Sequence, residues 1–216
     1  MGKRYWEWKP VFRLNRSHVC LLIIDMQNGF LEEGALLEVP QARSQVPAIK
    51  RLLDFFRQER LPVLFTQFCV TNKFNYPFYW HMAEQRGLRL AEPDRQFSPD
   101  KHETMIATAL APRPDEPVIK KAGYDAFANT ELEQRLRAEG VDQIVIVGTV
   151  VNWCVDSTVR SAFHRFYNVM VAADCVSAYA HAGSSAEDWW RMELDLFAEA
   201  FGRVAESQEI INELRV

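Results

Sequence analysis

Three reactive side-chain types fall at corresponding points of this chain. Cys154 lies in Gly148-Thr-Val-Val-Asn-Trp-Cys154-Val-Asp-Ser-Thr158, just after the apolar run Gln143-Ile-Val-Ile-Val147. That run reads as a buried parallel strand. The residues after it read as a helix with Val155, Val159, Ala162 and Phe163 on one face. A helix start presents unpaired N–H groups and a positive dipole end. Both favour a thiolate, which is the nucleophilic form of cysteine. The plainer reading is a buried structural cysteine, the commoner fate of a free thiol. Asp25 ends a second apolar run, His18-Val-Cys-Leu-Leu-Ile-Ile-Asp25, and Lys120 and Lys121 end a third, Glu116-Pro-Val-Ile-Lys-Lys121.

A carboxylate, an ammonium and a thiol together suit nucleophilic attack on an amide carbonyl. Asp25 could take the thiol proton and return one to a leaving amine. One of Lys120 or Lys121 could stabilise the thiolate and keep the carboxylate ionised. Backbone N–H groups near Cys154 could bind a tetrahedral oxyanion. Each residue has a simpler use: Asp25 as a turn cap, the lysines as a solvated pair at a strand end.

Alternating elements must bring these ends together. The predicted strands are 18–25, 61–67, 116–121, 143–147, 168–173 and 202–205. Helices are predicted at 45–60, with Ser44 as N-cap and Pro47 in the first turn, at 126–139, after Cys154, at 184–200 and at 207–214. The apolar face of the 184–200 helix is read at Trp189, Met192, Leu196 and Ala200. Unbroken apolar strands without alternation are covered on both faces. Strand–helix alternation implies a parallel sheet with right-handed crossovers. The fold class is therefore α/β: a three-layer α/β/α domain over residues 1–216, with a six-stranded, mostly parallel sheet whose carboxyl edge carries function. Residues 1–17 read as an N-terminal arm with its own packing, offering a surface to a neighbouring subunit. The long stretch 68–115, which includes Phe74-Asn-Tyr-Pro-Phe-Tyr-Trp-His81, reads equally as pocket wall or interface.

Composition excludes several classes. Hydrophobic residues make up 48% and charged residues 25% of 216, as in ordinary globular proteins. A net charge of −4 provides no basic field for nucleic acid or an anionic membrane. No run approaches a membrane span, and the amino terminus carries no signal-like apolar region. Four cysteines with no CxxC pair argue for a reducing, cytoplasmic setting rather than a disulfide or zinc framework.

The segments Leu-Ile-Ile-Asp25-Met-Gln-Asn-Gly-Phe, Lys121-Ala-Gly-Tyr-Asp-Ala-Phe127 and Val-Gly148-Thr-Val-Val-Asn-Trp-Cys154 resemble, in order and spacing, the motifs of the isochorismatase-like cysteine hydrolases. That superfamily includes nicotinamidases, isochorismatases, and N-carbamoylsarcosine, ureidoacrylate and biuret amidohydrolases. The resemblance spans about Val19 to Val204, with a poorly matched gap between Cys69 and Glu116. It implies Asp25 as general base and acid, Lys121 as the cation, and Cys154 as the nucleophile. Lys121 is chosen over Lys120 because the family lysine stands three residues before the Tyr124 position. It further implies a cis peptide at Thr149–Val150 and an oxyanion hole from the backbone N–H groups of Val150 and Cys154. It also implies a homo-oligomer, dimer or tetramer.

Departures narrow the reading. The nicotinamidase metal motif is replaced by Thr66-Gln-Phe-Cys-Val-Thr-Asn-Lys-Phe74, and His81 stands alone. A protein metal site needs three or more donors, so no metal and no cofactor are expected. Val151 replaces a frequent family threonine. The resemblance to the metal-free branch implies a small amide or ureido substrate cleaved through a thioester. The candidate substrate contacts are Phe30, Gln67, Trp80, Phe127, Asn152 and Trp153. Two other readings remain: vinyl ether hydrolysis of the isochorismatase type with Asp25 as acid, and a catalytically silent binding protein on the same fold.

Overall fold

The computed structural model describes residues 5–71, 76–90 and 95–216. Parts of the predicted arm (1–4) and of the 68–115 insertion (72–75 and 91–94) lie outside the described residues. In chain order the elements are β1 (Val19–Ile24), α1 (Asn28–Leu31), α2 (Pro40–Gln58), β2 (Val63–Phe68), α3 (Pro77–Gln85), β3 (Val118–Lys121), α4 (Leu132–Ala138), β4 (Gln143–Thr149), a π-turn (Val151–Val155), α5 (Asp156–His164), β5 (Asn168–Ser177), α6 (Ala186–Ala200), β6 (Gly202–Ala205) and α7 (Ser207–Leu214).

The six strands form one sheet in the order β3-β2-β1-β4-β5-β6, and every pairing is parallel. Successive side chains of a strand point to opposite faces. Accordingly Leu21 and Ile23 enter one core with α2 and α7, while Cys20, Leu22 and Ile24 enter the other with α4, α5 and α6. This double burial explains why the strands read as unbroken apolar runs. The chain runs outward from β1 through β2 to β3, then returns to the other side of β1 to place β4. That reversal opens a crevice at the carboxyl ends of β1 and β4, where open α/β sheets build sites. Gly148 makes the approach possible. Its φ is +114°, and a Cβ there would lie 2.1 Å from the Ile24 carbonyl oxygen. Only glycine fits such a contact in this backbone region.

Several local expectations are corrected. Helix α2 begins at Pro40, not Gln45, because proline suits the first helical position. Pro47 therefore sits inside the helix, and the Ser44 hydroxyl donates back to the Gln41 carbonyl rather than capping the start. Helix α4 begins only at Leu132: Asn129 takes φ +56°, and the Thr130 hydroxyl oxygen accepts from the Leu132 N–H. Strand β5 runs on through Asp174 and Cys175 to Ser177. On α6 the core side is Leu194 and Phe197, with Trp190 donating its indole N–H to the Ala173 carbonyl. Met192 and Leu196, read as core, are 44% and 36% exposed. Two apolar stripes run side by side on this helix, and periodicity cannot rank them. The arm packs on its own chain: the Phe12 carbonyl accepts from Arg203, the Leu14 N–H donates to Glu213, and Trp6 meets Trp190 with ring centroids 5.3 Å apart. Among the described residues no helix is long and apolar enough to cross a membrane.

Candidate active site

Asp25 follows β1 directly and takes φ +49°, a left-handed conformation that aspartate tolerates better than most residues. Its N–H donates to the Thr66 hydroxyl oxygen at 3.1 Å, and that hydroxyl donates to Asp25 Oδ1 at 2.6 Å. Lys121 ends β3, where burial alternates: Ile119 and Lys121 face inward and Lys120 faces solvent. Lys121 Nζ reaches past the end of β2 to Asp25 Oδ2 at 2.6 Å, both side chains being 0% exposed. It also donates to the Gly123 carbonyl at 3.0 Å. Oδ2 is the oxygen that meets the ammonium, and Oδ1 the one that accepts from the Thr66 hydroxyl. Gln27 braces the neighbouring backbone, donating to the Phe68 and Thr104 carbonyls and accepting from the Phe68 N–H.

Cys154 comes from the π-turn after β4. The Thr149–Val150 peptide is cis, and both residues line the same cavity as Cys154. Cys154 is 7% exposed. Burial pushes its thiol up to about 12; Lys121 opposes that rise and Asp25 adds to it. The expectation of a resting thiolate is thus corrected: desolvation outweighs the lysine. For Lys121 burial acts against the charge, but Asp25 and then Cys154 overcome it and hold the ammonium above its ordinary value. The three side chains are close enough to perturb one another, and the thiol stays protonated until a base takes its proton.

The cavity above the thiol measures about 270 Å³. Its wall is an aromatic collar. Phe68 meets Tyr79 at 5.3 Å between centroids, Tyr79 meets Tyr124 at 6.0 Å, Tyr124 meets Trp153 at 5.5 Å, and Trp153 meets Tyr179 at 5.6 Å. Phe30 and Trp153 line it as expected from the sequence. Gln67, Trp80, Phe127 and Asn152 do not. Gln67 donates its amide to the Thr104 carbonyl. Trp80 turns inward to the core on α3 and carries Arg95 over its ring. Phe127 packs against Tyr167 on the far side of the sheet. Asn152 bonds both the N–H and the carbonyl of Tyr179, so it holds a wall residue without touching the cavity.

Sequence reasoning missed Tyr79, Tyr124, Tyr179, Thr66 and Arg86. Tyr124 stands in the Lys121-Ala-Gly-Tyr segment, and Tyr79 in the aromatic run of the insertion. Tyr179 follows the carboxyl end of β5, a position that parallel sheets favour for sites. Within the insertion, Tyr79, Met82 and Ala83 of α3 and the following Arg86 line the cavity. Among the described residues no group of three or more His, Cys, Asp or Glu side chains could hold a metal ion.

Comparison with known proteins gives a consistent result. The isochorismatase domain profile matches residues 19–209. A ureidoacrylate amidohydrolase RutB of Methylobacterium radiotolerans is 30% identical over 179 residues, covering 74% of this chain and 67% of that protein. One from Stutzerimonas stutzeri is 26% identical over 215 residues, covering 89% and 86%. The crystal structure of a cysteine hydrolase from Pseudomonas syringae pv. phaseolicola superposes with a TM-score of 0.82 at 27% identity, covering 94% of this chain and 95% of that one.

Proposed function

The chain belongs to the isochorismatase family, and from that premise we propose that it is a cysteine-dependent amidohydrolase acting on a small linear amide or ureide. The observation that carries this reading is the fully buried Lys121–Asp25 pair beneath a cysteine that opens into a small aromatic cavity. The names of the relatives, amidohydrolases of a ureido compound and a cysteine hydrolase, support it.

Asp25 Oδ2 takes the Sγ proton as the sulfur attacks the carbonyl carbon. The negative charge passes to the carbonyl oxygen, which the Val150 and Cys154 N–H groups receive. Asp25 returns the proton to the leaving nitrogen, the C–N bond breaks, and ammonia or an amine departs. A thioester remains. Asp25 then deprotonates water, which attacks the thioester and regenerates the thiol. Lys121 remains charged throughout and keeps its ammonium against Asp25 Oδ2. Raising the thiol to about 12 makes this base essential, since little thiolate exists without it. Four buried, unpaired cysteines support a reducing, cytoplasmic setting. Exposed Phe163, Met192 and Leu196 support a homo-oligomer, which light scattering tests.

The deciding experiment is a panel of linear amides and ureides scored for ammonia release, with Cys154→Ala as control. Release by the parent and loss in the variant are expected. Turnover that survives the substitution overturns the thiol mechanism in favour of Asp25 acting alone, and no turnover of any compound favours a silent binding protein.

A further inference from the structure

Helix α6 carries an acid that the hydrolytic chemistry does not use. Glu193 is half-buried, and its Oε2 lies inside the protein without accepting a hydrogen bond among the described residues. Its neighbours one turn away on α6, Trp189, Trp190, Leu196 and Phe197, are uncharged. From α5 it faces Asp156 and Arg160. Arg160 is already engaged: its Nε donates to Asp156 Oδ1 at 2.6 Å, and its guanidinium carbon lies 4.5 Å from the ring centroid of Phe201. Among the described residues, the other elements packed against α6 supply no free cation. Strand β5 brings Asp174, which accepts from Ser207, and β6 brings Arg203, which is paired with Glu213. The Tyr5–Glu7 turn brings Glu7, another acid, and the turn 151–155 has Cys154 as its one titratable group. A buried carboxylate oxygen without a partner favours the neutral acid. Burial, with Asp156, pushes the Glu193 carboxyl up to about 7 against the pull of Arg160.

This cluster stands behind the nucleophile. Asp156 opens α5 two residues after Cys154, at the helix end where a carboxylate is favoured. Helix α6 packs against the same turn, and its Leu194 and Phe197 share one core with Val151, Cys154 and Val155. An ionised Glu193 repels Asp156 and competes with it for the one guanidinium.

Resting on the amidohydrolase reading for its catalytic consequence, we propose that Glu193 is a positioning residue for Cys154: its carboxylic acid form keeps the Asp156–Arg160 pair intact and α6 seated on the catalytic turn, and loss of its proton loosens both. Glu193 touches no reacting atom. It makes the placement of the nucleophile respond to pH.

The test compares the parent with Glu193→Gln, which is neutral at every pH and nearly isosteric, across the acid and neutral range. Urea unfolding, the rate of Cys154 alkylation by iodoacetamide, and kcat and KM on the amide turned over fastest are read at each pH. A carboxyl at 4.5 in the unfolded chain and about 7 in the folded one contributes stability that is complete below pH 4.5 and lost as pH rises through 7. Glu193→Gln should therefore match the parent at the acid end and unfold with an equilibrium constant about 10-fold smaller above neutrality, the full difference being reduced by partial exposure. Over the same range the parent, relative to the variant, should lose kcat and gain alkylation rate by about 2- to 5-fold each, the effect of a charge at a helix start, with KM unchanged. In an Asp156→Asn background the same Glu193→Gln change should no longer stabilise, because Arg160 is then free to pair with Glu193. A difference between Glu193→Gln and the parent that is equal at every pH would mean that Glu193 only fills space, and overturns the proposal. So do kcat and alkylation ratios that stay flat while stability diverges, since Glu193 then titrates without moving the thiol. Alkylation that changes as expected while no amide releases ammonia defeats the amidohydrolase reading and leaves this proposal standing.

Discussion

Replacing Lys121 with methionine tests the centre of the site. The side chain is fully buried and meets Asp25 Oδ2 at 2.6 Å. Methionine retains the length and apolar bulk but removes the charge, so Asp25 loses its cationic partner and keeps the Thr66 hydroxyl as a donor to Oδ1. Breaking a buried pair from one side costs about 3–5 kcal/mol, because the remaining charge is left uncompensated. For a chain of this size about 2–4 °C of Tm accompanies each kcal/mol, which gives a fall of about 6–20 °C. The double variant Asp25→Asn/Lys121→Met removes both charges and should recover much of the loss. The assay is urea unfolding of the parent, both single variants and the double variant, read as a double-mutant cycle. All three variants should lack hydrolytic activity, so stability and chemistry separate in the double variant. A cost below about 1 kcal/mol for Lys121→Met would refute the reasoning, since that is the range of a solvent-exposed pair.

Other consequences follow from neighbouring features. Gly148→Ala should fail to accumulate as folded protein, because its Cβ would meet the Ile24 backbone at 2.1 Å. Gly140→Ala has positive φ but nothing within 4 Å, so it should cost only about 1 kcal/mol by urea unfolding. Brief iodoacetamide treatment followed by mass mapping should label Cys154, at 7% exposure, before Cys20 or Cys175, which are fully buried. The labelling rate should keep climbing above pH 9 instead of levelling there, because the thiol titrates near 12. Stability should also decline on the alkaline side. The Cys154 thiol rises from 9.0 to about 12 on folding, so the unfolded chain loses that proton first and the native state is penalised from about pH 9 upward. The raised Lys121 acts in the same direction, its stabilisation being present below its unfolded value of 10.5 and lost above it. Thermal unfolding between pH 8 and 11 should show a shallower decline in Cys154→Ala.

The sheet was legible because strands buried on both faces are continuous apolar runs, and no other element of comparable length is so uniform. Asp25, Lys121 and Cys154 were legible for a related reason: each ends such a run, and parallel strands align their ends. Side-chain direction was not legible. Gln67 has the chemistry to contact a urea group, but along β2 the residues that reach the site are Thr66 and Phe68, on the opposite side of the pleat. Phe127 and Asn152 stand near the cavity-lining Tyr124 and Trp153 in sequence, yet local hydrogen bonding and packing turn them away. Met192 and Leu196 repeat at helical spacing as well as Leu194 and Phe197 do, and only tertiary packing decides between them. Arg86 gave no sequence signal, because its place in the cavity wall depends on Trp153, over whose ring it lies, 67 positions away in the chain (153 − 86).

The tandem lysines of β3 bear on how this edge of the sheet finds its alignment. The strand has four residues and only one neighbour, so its pairing is weakly specified by hydrogen bonds alone. A slip of one residue would bring Lys120 to Asp25 in place of Lys121, and the ion pair would be preserved. The electrostatics are therefore nearly blind to the error. Ile119 is not: the same slip would turn it from full burial toward water and put the smaller, half-buried Val118 in its place, at a net cost of about 1 kcal/mol. An apolar side chain with no part in the reaction is what keeps the correct ammonium in place, and Ile119→Thr should yield a population with the wrong lysine at the site.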